Sequence, residues 1–366
     1  MSNQKLSIGR IFSIAGALMA FLIGSGFATG QEIMQYYSTY GYWGVAVVLL
    51  VLVLLIFISL FLLEMGFRHQ FVPDNEIYPY MFGNTVGRIM DIYVIFFIYL
   101  SFVVMVAGAR ATGMQQYNFD GYIFVIVFTL IVALSVFFGL DRLVDIIGNI
   151  GPIIIVLTLI VAVWSIGINA DKIPGAMDRM LELNESGLLQ RASNNWLLSA
   201  LSYIGFVTWW LIAFLVNIGK NSDNIKDAKH GVLWGSIIFA LATAIVGFAI
   251  FINLDILYDS QIPTLMLAAD IHPWLASIYS ITVLLGIYTT AVSLLWTVVA
   301  RFFKEKTNAY RIACLVFSLV GLFIGTLFDF DVLVNYIYVI NGYLGVIFIL
   351  AAVYYTSKDK VQLWTK

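Results

Sequence analysis

Long apolar segments separated by short polar ones run along almost the whole chain. Several of them, such as 43–63 and 121–138, come close to the ~20 apolar residues that an α-helix needs to cross the hydrocarbon core of a bilayer. Reading each apolar segment as one helix predicts ten membrane-spanning helices. Their predicted bounds are 8–38, 42–67, 86–116, 121–139, 142–168, 194–218, 229–254, 274–301, 309–328 and 331–355.

The positively charged residues lie unequally on the two sides of these spans. With the N-terminus inside, 15 of the 19 lysine and arginine residues fall on the inner side. The outer side receives Arg110, Lys172, Arg179 and Arg191. Because positively charged loops tend to stay in the cytoplasm during insertion, this bias predicts that both termini are cytoplasmic. Adding or removing one span would mix the two groups, so the bias also supports the count of ten.

The composition agrees with a membrane protein and argues against several other classes. Hydrophobic residues make up 61% of the chain and charged residues 11%, with a mean hydropathy of +0.95, which is too apolar for a soluble domain of this length. The net charge of −2 argues against a nucleic-acid partner. Cys314 is the only cysteine, so no disulfide framework or cysteine metal site is expected. We therefore predict an all-α integral membrane protein, a single transmembrane domain over 1–366 that lies in the lipid bilayer. The sequence leaves its oligomeric state open.

A run of small residues falls near the middle of the first span. Gly24, Ser25 and Gly26 follow one another, and Gly30 comes about one turn later. A helix in a membrane normally keeps its backbone hydrogen bonds internal, and glycine frees the backbone at low steric cost. We therefore predict an interruption here, whose second half would begin with N–H groups suited to a carboxylate. The alternative is that the small residues only let helices pack closely.

The sixth span offers a matching position. It contains Gly205 within the segment 202–210 and crosses the membrane in the direction opposite to the first span. Two interrupted helices, at the same place in two five-helix halves, are typical of a binding site between inverted repeats. We therefore predict interruptions in spans one and six. The two repeats would cover about 8–168 and 194–355.

The motif in the first span resembles that of a known transporter group. The segment from Ile23 to Gly26 (Ile-Gly-Ser-Gly) resembles the first-helix signature of the amino acid–polyamine–organocation (APC) superfamily. The longer stretch from Gly16 to Gly41 is similar to the YkvI-like bacterial membrane proteins of that superfamily. The resemblance implies the five-plus-five inverted-repeat fold named after LeuT, in the cytoplasmic membrane of a bacterium. It also implies secondary transport by alternating access of a small organic solute, most often an amino acid.

The predicted solute site lies at the two interruptions. The solute carboxylate is expected on the N–H groups of 24–27, and its amino group on carbonyls near Tyr203. Because no buried full charge is predicted at that depth, a compact zwitterion fits better than a strongly charged solute. The candidate binding residues are Gly24, Ser25, Gly26, Phe27, Thr29, Tyr99, Tyr203, Gly205, Phe206, Thr208 and Tyr288.

The eighth span carries a candidate sodium site. Gly286, Thr289 and Thr290 share one helix face, because residues three and four apart are neighbours on a helix. The Gly286 carbonyl and the two hydroxyls could supply three neutral oxygens. The resemblance implies that carbonyls of the interrupted first helix, at Ala20 and Ile23, complete the site. The alternative is that the hydroxyls bond back to their own helix, as is common in membranes.

Two charged residues are expected near the outer end of the path. Glu32 lies six residues after Gly26, and a carboxylate in a membrane needs a partner or water. Arg110 is the nearest cation in the predicted topology. The pair could form an outer gate, and a static tie between spans one and three is the alternative.

Other functions remain open or are disfavoured by the residues present. An enzyme is not expected, because the three histidines lie in loops or at span ends and no HExxH motif exists. A transition-metal carrier would need metal ligands before the interruption, where Met19 is the one candidate. No cofactor is predicted apart from sodium as the coupling ion. A proton-coupled carrier, an exchanger and a receptor that binds the solute without moving it, like a germinant-receptor subunit, remain as alternatives.

Overall fold

A computed structural model describes residues 6–118, 121–138, 144–305 and 307–358. These residues are almost entirely helical and contain no β-strand. Eight of their helices are long and apolar enough to cross a membrane, judged by length and composition. Two shorter apolar helices, Ile8–Leu22 and Tyr122–Phe138, supply the first and fourth spans. The predicted all-α membrane fold is confirmed.

The helices follow the predicted order of spans. They are, along the chain, α1 (Ile8–Leu22), α2 (Ser25–Thr29), α3 (Gln31–Tyr36), α4 (Trp43–His69), α5 (Ile77–Tyr117), α6 (Gly121–Phe138), α7 (Val144–Ile168), α8 (Ala176–Glu185), α9 (Trp196–Lys220), α10 (Ile225–Ile252), α11 (Leu254–Leu257), α12 (Pro263–Ile271), α13 (Pro273–Phe302), α14 (Asn308–Leu327), α15 (Phe330–Leu333) and α16 (Val339–Lys358). The first span comprises α1, α2 and α3. The tenth comprises α15, a π-helical turn at Val334–Tyr338, and α16.

We call the side of the molecule that carries the start of α1 the inner side, and the side that carries the end of α3 the outer side. The connections on the outer side contain α8, α11 and α12. Local sequence explains several helix starts: the Asn195 side chain accepts a hydrogen bond from the Leu198 N–H (2.9 Å) at the start of α9, as N-cap residues do. Proline begins both α12 and α13, where its missing N–H is not needed.

The packing of the long helices has the symmetry of an inverted repeat. The helix α1 of span one packs along α10 of span seven, and α9 of span six packs along α4 of span two. Each span of one half corresponds to the span five places later in the other half. Spans one and seven therefore correspond to spans six and two, so this exchange maps one packed pair onto the other, as two inverted repeats require. The third and eighth spans, α5 and α13, pack on each other and form a pair that the same exchange leaves unchanged. The bounds of the two repeats remain a prediction.

The predicted interruption of the sixth span is wrong. The helix α9 runs without a break from Trp196 to Lys220. Gly205 faces α16 instead, where any Cβ atom would overlap the Gly342 carbonyl. Thr208 donates back to the Ile204 carbonyl (2.7 Å), which leaves the helical ladder intact. The glycine in this span therefore serves close helix packing, the role that small residues commonly have in membranes.

Candidate functional site

The first span is interrupted where the sequence predicts it. The hydrogen-bond ladder of α1 ends with the Ile23 N–H donating to the Met19 carbonyl (2.7 Å). It resumes in α2 with the Ala28 N–H donating to the Gly24 carbonyl (3.1 Å). Gly24 has φ −98° and ψ −150°, which is not helical. Backbone groups next to this interruption are therefore free for other partners, and at mid-membrane depth such groups are found where the backbone lines a site.

A second bend follows at Gly30, which has φ +75° and separates α2 from α3. This left-handed conformation favours glycine, and a Cβ atom there would lie 2.6 Å from Thr264 Cγ2. The outer connection α12 thus packs directly on the bend. Because of the bend, residues after Gly30 do not continue the direction of α2.

Three other helices hold α2 in place. The Ser25 hydroxyl donates to the Met105 sulfur of α5 (2.6 Å). The Ala28 carbonyl, near the end of α2, accepts from two hydroxyls: Thr264 of α12 (2.5 Å) and Tyr279 of α13 (2.8 Å). The interruption is therefore fixed from the third span, the eighth span and the outer connection.

The predicted sodium ligands are only partly brought together. A Cβ atom at Gly24 would lie 3.3 Å from the Thr290 hydroxyl, so Thr290 borders the interruption. This hydroxyl makes no hydrogen bond within the described residues, and its residue is partly exposed. The Thr289 hydroxyl instead donates to the Gly286 carbonyl (3.0 Å) of its own helix. The back-bonding alternative therefore holds for Thr289 and not for Thr290. The carbonyls of Ala20 and Ile23 accept no backbone hydrogen bond across the break, and their place in a sodium site remains a prediction.

Two of the predicted solute-binding side chains on α2 point elsewhere. The Phe27 ring packs against Phe239 of α10 (6.5 Å between ring centroids). The Thr29 hydroxyl donates to the Gly26 carbonyl (3.1 Å) and is fully buried. Together with the Ser25–Met105 bond, these contacts leave the backbone of 24–27, rather than its side chains, as the part of α2 that borders the site.

The structure does not bring Tyr99 and Tyr288 to the interruption. The Tyr99 hydroxyl donates to the Phe317 carbonyl of α14 (2.9 Å). The Tyr288 hydroxyl shares a hydrogen bond with Ser135 of α6 (2.6 Å). Both residues have the predicted depth but lie on another face of their helix. Gly205 and Thr208 of α9 also drop out of the candidate set, for the reasons given above.

Tyr203 and Phe206 pack against the end of α3 in the first span, within a larger group of rings. We call this group the aromatic cluster: Tyr36, Tyr37, Phe97, Tyr203, Phe206, Trp210 and Tyr338. Tyr203 contacts both Tyr36 and Tyr37 edge-on (ring centroids 5.3 and 5.0 Å apart). Phe206 stacks on Tyr338 (4.8 Å). The cluster joins α3 of the first span to spans three, six and ten.

The Glu32 carboxyl lies directly against Gly26. A Cβ atom added at Gly26 would overlap the Glu32 carboxyl group, so this carboxyl occupies the space beside the backbone of the interruption. The side chain is 7% exposed and makes no hydrogen bond or ion pair within the described residues. An ionisable group therefore lies beside the interruption, where none was predicted. In a straight helix Glu32 would lie ~9 Å further out, but the bend at Gly30 turns its side chain back toward Gly26.

The predicted pairing of Glu32 with Arg110 is also wrong. Arg110 instead forms an ion pair with Asp329, in the connection before span ten (3.5 Å), and its guanidinium lies over the Tyr122 ring (5.3 Å). The fold places the connection between spans nine and ten beside the outer end of α5, and this brings Asp329 to Arg110. The spacing of charges along the chain does not reveal this proximity. A gating role for either residue remains a prediction.

One face of α9 leads from the aromatic cluster toward the inner side. Tyr203, Phe206, Trp210, Ala213 and Asn217 share this face through alternating steps of three and four residues. Tyr203 and Phe206 are buried, Trp210 is partly exposed, and Ala213 and Asn217 are exposed. The accessible surface along this face therefore increases from the cluster to the inner end of the helix.

Three members of the site were not identified from the sequence, namely Trp210, Tyr338 and Met105. A signal existed for Trp210, since it continues the face that Tyr203 and Phe206 begin. None existed for Tyr338, because its position depends on the π-helical turn at Val334–Tyr338. Such turns often occur at functional sites.

The chain is similar to two proteins of Bacillus subtilis. It is 22% identical over 352 residues to the uncharacterised membrane protein YkvI, a match that covers 94% of this chain and 96% of YkvI. It is 23% identical over 343 residues to the uncharacterised protein YyaD, with the same two shares covered. No protein-family model matches the chain.

Two solved transporter structures have a similar fold. The structure of MhsT in complex with L-phenylalanine superimposes with a TM-score of 0.63, at 15% identity, covering all of this chain and 91% of that one. A mutant of the Eremococcus coleocola manganese transporter superimposes with a TM-score of 0.61, at 13% identity, covering 96% and 79%. At these identities the likeness establishes the fold and leaves the solute open.

These similarities agree with what the first-span motif implies. The order of the spans, the interrupted first helix and the exchange symmetry of the packing all belong to the same architecture. The chain is a multi-pass membrane protein with a LeuT-type fold, and over nearly its whole length it is similar to the membrane protein YkvI.

Proposed function

We propose that the protein is a secondary transporter that carries a small organic solute with an amino group, coupled to sodium. The observation that carries the proposal is the interruption at Ile23 and Gly24 with the free Thr290 hydroxyl beside it. An interrupted membrane helix facing a second helix is the usual arrangement for solute and ion binding in such folds.

The sodium part of the proposal rests on neutral oxygens. Thr290 offers an unbonded hydroxyl, and the carbonyls of Ala20 and Ile23 accept no backbone hydrogen bond. Oxygen ligands of this kind suit a hard cation. The Gly286 carbonyl already accepts from Thr289, but its second lone pair is available. We therefore propose Thr290 as the principal side-chain ligand of sodium. The Thr289 hydroxyl is already bonded within its own helix and contributes less.

Alternating access is supported by the two sides of the site. On the outer side α12 packs onto the bend at Gly30, and every residue of 25–41 is buried. On the inner side the exposed face of α9 and the exposed Ser13 and Ala17 of α1 lead toward the interruption. A site that communicates with one side while the other is closed is what a transporter needs in one of its states. We propose that the inner side is the cytoplasm.

One structural comparison supports the prediction that the solute is an amino acid. MhsT was solved with L-phenylalanine, and its fold is shared by this chain. A metal ion as solute receives less support, because the described residues contain no group of three histidine, cysteine or acidic side chains that could hold one. The proposal therefore names an organic solute and leaves its amino-acid character to direct measurement.

The test combines a binding screen with two matched substitutions. Purified protein would be screened by thermal shift against the common amino acids and simple amines, in sodium chloride and in potassium chloride. We expect sodium to tighten binding of the ligand found. Thr290→Val should weaken this sodium effect several-fold, since one lost hydroxyl contact corresponds to ~1 kcal/mol. Thr289→Val is the control, because its hydroxyl is bonded within α13, and it should change the sodium effect much less.

Uptake into proteoliposomes then separates transport from binding alone. A sodium gradient should drive accumulation of the ligand, and ligand and sodium should tighten each other by the same factor. Binding that is indifferent to sodium would overturn the coupling part of the proposal. Binding with no uptake would favour a receptor.

A proton-coupled carrier is the second candidate, and Glu32 is the observation that favours it. A buried carboxyl without a partner at the interruption could take up and release a proton. Uptake that follows a pH gradient and ignores sodium would select this function. In that case Glu32→Gln should abolish the pH dependence while leaving exchange of solute across the membrane.

A further inference from the structure

The Glu32 carboxyl takes the position in which a solute carboxylate was expected. It overlaps the space beside Gly26, where the backbone of the interruption would meet a solute. When Glu32 is ionised, a solute that brought its own carboxylate to this place would put two negative charges together in a region shielded from water, where like charges repel strongly. The geometry therefore disfavours an amino acid and favours a solute whose charge is positive.

The nearby cations of the protein are engaged elsewhere. Arg110 pairs with Asp329 (3.5 Å) at the outer end of α5. The Arg191 guanidinium lies over the Tyr40 ring (4.3 Å) on the outer side. Within the described residues no lysine or arginine reaches the Glu32 carboxyl. A buried carboxylate is strongly favoured by a cationic partner in a membrane, and none of the described lysine and arginine residues supplies one here.

The aromatic cluster supplies a second, independent indication. The hydroxyl of Tyr338, whose side chain is completely buried, has no hydrogen-bond partner among the described residues. The same holds for the indole N–H of Trp210, whose ring contacts Tyr338. Buried polar groups are nearly always satisfied, so two such groups on adjacent rings indicate a bound molecule or water. Glu32 and Tyr36 lie one turn apart on the same face of α3, which joins the carboxyl to this part of the cluster.

The cluster offers aromatic rings to an organic cation, with Trp210 as its partly exposed member. Phe206 and Tyr338 are stacked, and the Trp210 ring stands perpendicular to Tyr338 (90°) with its centroid 5.4 Å away. Phe97 stacks on Trp210 (5.9 Å). Aromatic faces attract ammonium groups and their alkyl substituents through the quadrupole of the rings, and tryptophan is the strongest of them. The partial exposure of Trp210 gives access from the inner side.

We propose that the solute is a monovalent organic cation without a carboxylate, an amine or substituted ammonium, whose charge is balanced by Glu32 and whose body lies against Phe206, Trp210 and Tyr338. This inference rests on the proposed function in one respect, that the interruption of the first span is the solute site. It adds the chemical class of the solute and the residue that recognises it.

The test uses three ligands with the same ring and chain but different charges. Phenethylamine carries the amine alone, L-phenylalanine carries amine and carboxylate, and 3-phenylpropionate carries the carboxylate alone. Purified full-length protein would be titrated with each by thermal shift and by calorimetry, with butylamine and choline as cations lacking the phenyl ring. We expect phenethylamine to bind at least about tenfold more tightly than L-phenylalanine, and 3-phenylpropionate to show no binding.

Two carboxylate substitutions locate the effect. Glu32→Gln keeps the size of the side chain and removes its charge, and it should weaken cation binding roughly thirtyfold or more, as the loss of one partner of a buried charge pair does. Asp329→Asn is the matched control, because it removes a carboxylate at the outer rim that does not contact the cluster, and cation binding should be retained. Glu32→Asp should recover part of the affinity that Glu32→Gln loses.

Several results would overturn the inference. Tighter binding of L-phenylalanine than of phenethylamine contradicts it directly on the unmodified protein, even if the Glu32 variants do not fold. Failure of every cation in the panel to bind also contradicts it. Sodium-driven uptake of an amino acid would leave the proposed transport function intact and remove only the cation assignment. Binding of phenethylamine at the Glu32 site without uptake would support the cation assignment and contradict the proposed transport function.

Discussion

The two halves of the first span differ in how they are held. In the outer half, 25–41, every residue is buried, and neighbours from several elements bond to it. Gln35 donates to the Asp331 carbonyl of span ten (2.9 Å), and Ser199 of α9 donates to the Tyr36 carbonyl (2.8 Å). In the inner half, α1 packs mainly along α10, and its side chains at Ile8 and Phe12 are exposed.

This difference explains which side of the site is closed. The outer half is covered by the connections that contain α8 and α12, and it cannot move without breaking bonds to spans six, seven and ten. The inner half depends on one principal neighbour and on a pair at its end, Arg10 with Asp223 (2.6 Å), in which both side chains are exposed. Exposed pairs contribute little to stability, so the inner half is the part of the span that can move at low free energy.

The largest expected effect on stability concerns the ion pair that joins α10 to α4, because the inner half of the first span packs on α10. Lys229 of α10 is 1% exposed and pairs with Glu64 of α4 (2.6 Å), which also binds Arg68 (2.5 Å). Lys229→Met should destabilise the protein by about 3–5 kcal/mol, because it leaves a buried carboxylate short of a partner. Arg10→Met, which removes an exposed cation on the same side, should cost under ~1 kcal/mol. Melting temperatures in detergent would compare the two, and equal effects would contradict the contrast.

A smaller effect is expected from adding one methyl group to each half. Gly30→Ala forces a left-handed residue to carry a Cβ atom that lies 2.6 Å from Thr264, and it should destabilise by ~2 kcal/mol. Gly16→Ala in α1 meets no atom within 4 Å and should be neutral or stabilising by under ~1 kcal/mol, since alanine favours helices. Unfolding curves of both variants would measure the difference. A harmless Gly30→Ala would mean that α12 does not hold the bend.

Chemical labelling tests accessibility without changing stability. Ala17→Cys, on the exposed face of α1, should react quickly with a membrane-impermeant maleimide, whereas Thr39→Cys in the buried outer half should react slowly. The native Cys314 is buried and serves as the background. In cells, labelling of position 17 from the cytoplasmic side alone would support the predicted orientation of the termini. Fast labelling of position 39 would show that the outer half opens readily.

The smallest effect is expected at the outer rim. The Arg110–Asp329 pair is long (3.5 Å), and the Asp329 side chain is 59% exposed. Asp329→Asn should therefore change the free energy of unfolding by no more than ~1 kcal/mol. A much larger loss of stability, or a strong effect on the rate of uptake, would indicate that the Arg110–Asp329 pair forms the outer gate that the sequence predicts for Glu32 with Arg110.

The sequence was sufficient for features with a local cause. The ten spans follow from runs of apolar residues, and the interruption of the first span follows from two glycines around Ser25. Gly205 has the same residue type but a different role, because its function depends on α16 lying against it. A single glycine cannot distinguish a break from a close helix contact.

Features that depend on rotation and distant neighbours were not predictable. Tyr99 and Tyr288 have the right depth, but their helices turn them toward α14 and α6. Glu32 reaches Gly26 only because Gly30 adopts a left-handed conformation, which the sequence permits but does not require. The partner of Arg110 lies more than 200 positions away along the chain, where no pattern of spacing connects the two.

The doubly bonded Ala28 carbonyl has a consequence for the speed of conformational change. If the proposed transport cycle opens the outer side by moving α12 off the first span, the bond from Thr264 to this carbonyl must break. Tyr279 of α13 still donates to the same oxygen afterwards, so no buried acceptor is left without a donor. The step then loses one hydrogen bond of ~1 kcal/mol rather than the larger penalty of an orphaned carbonyl. The spare donor thus lowers the activation barrier for release of the outer connection, and Tyr279→Phe should slow that release rather than hasten it.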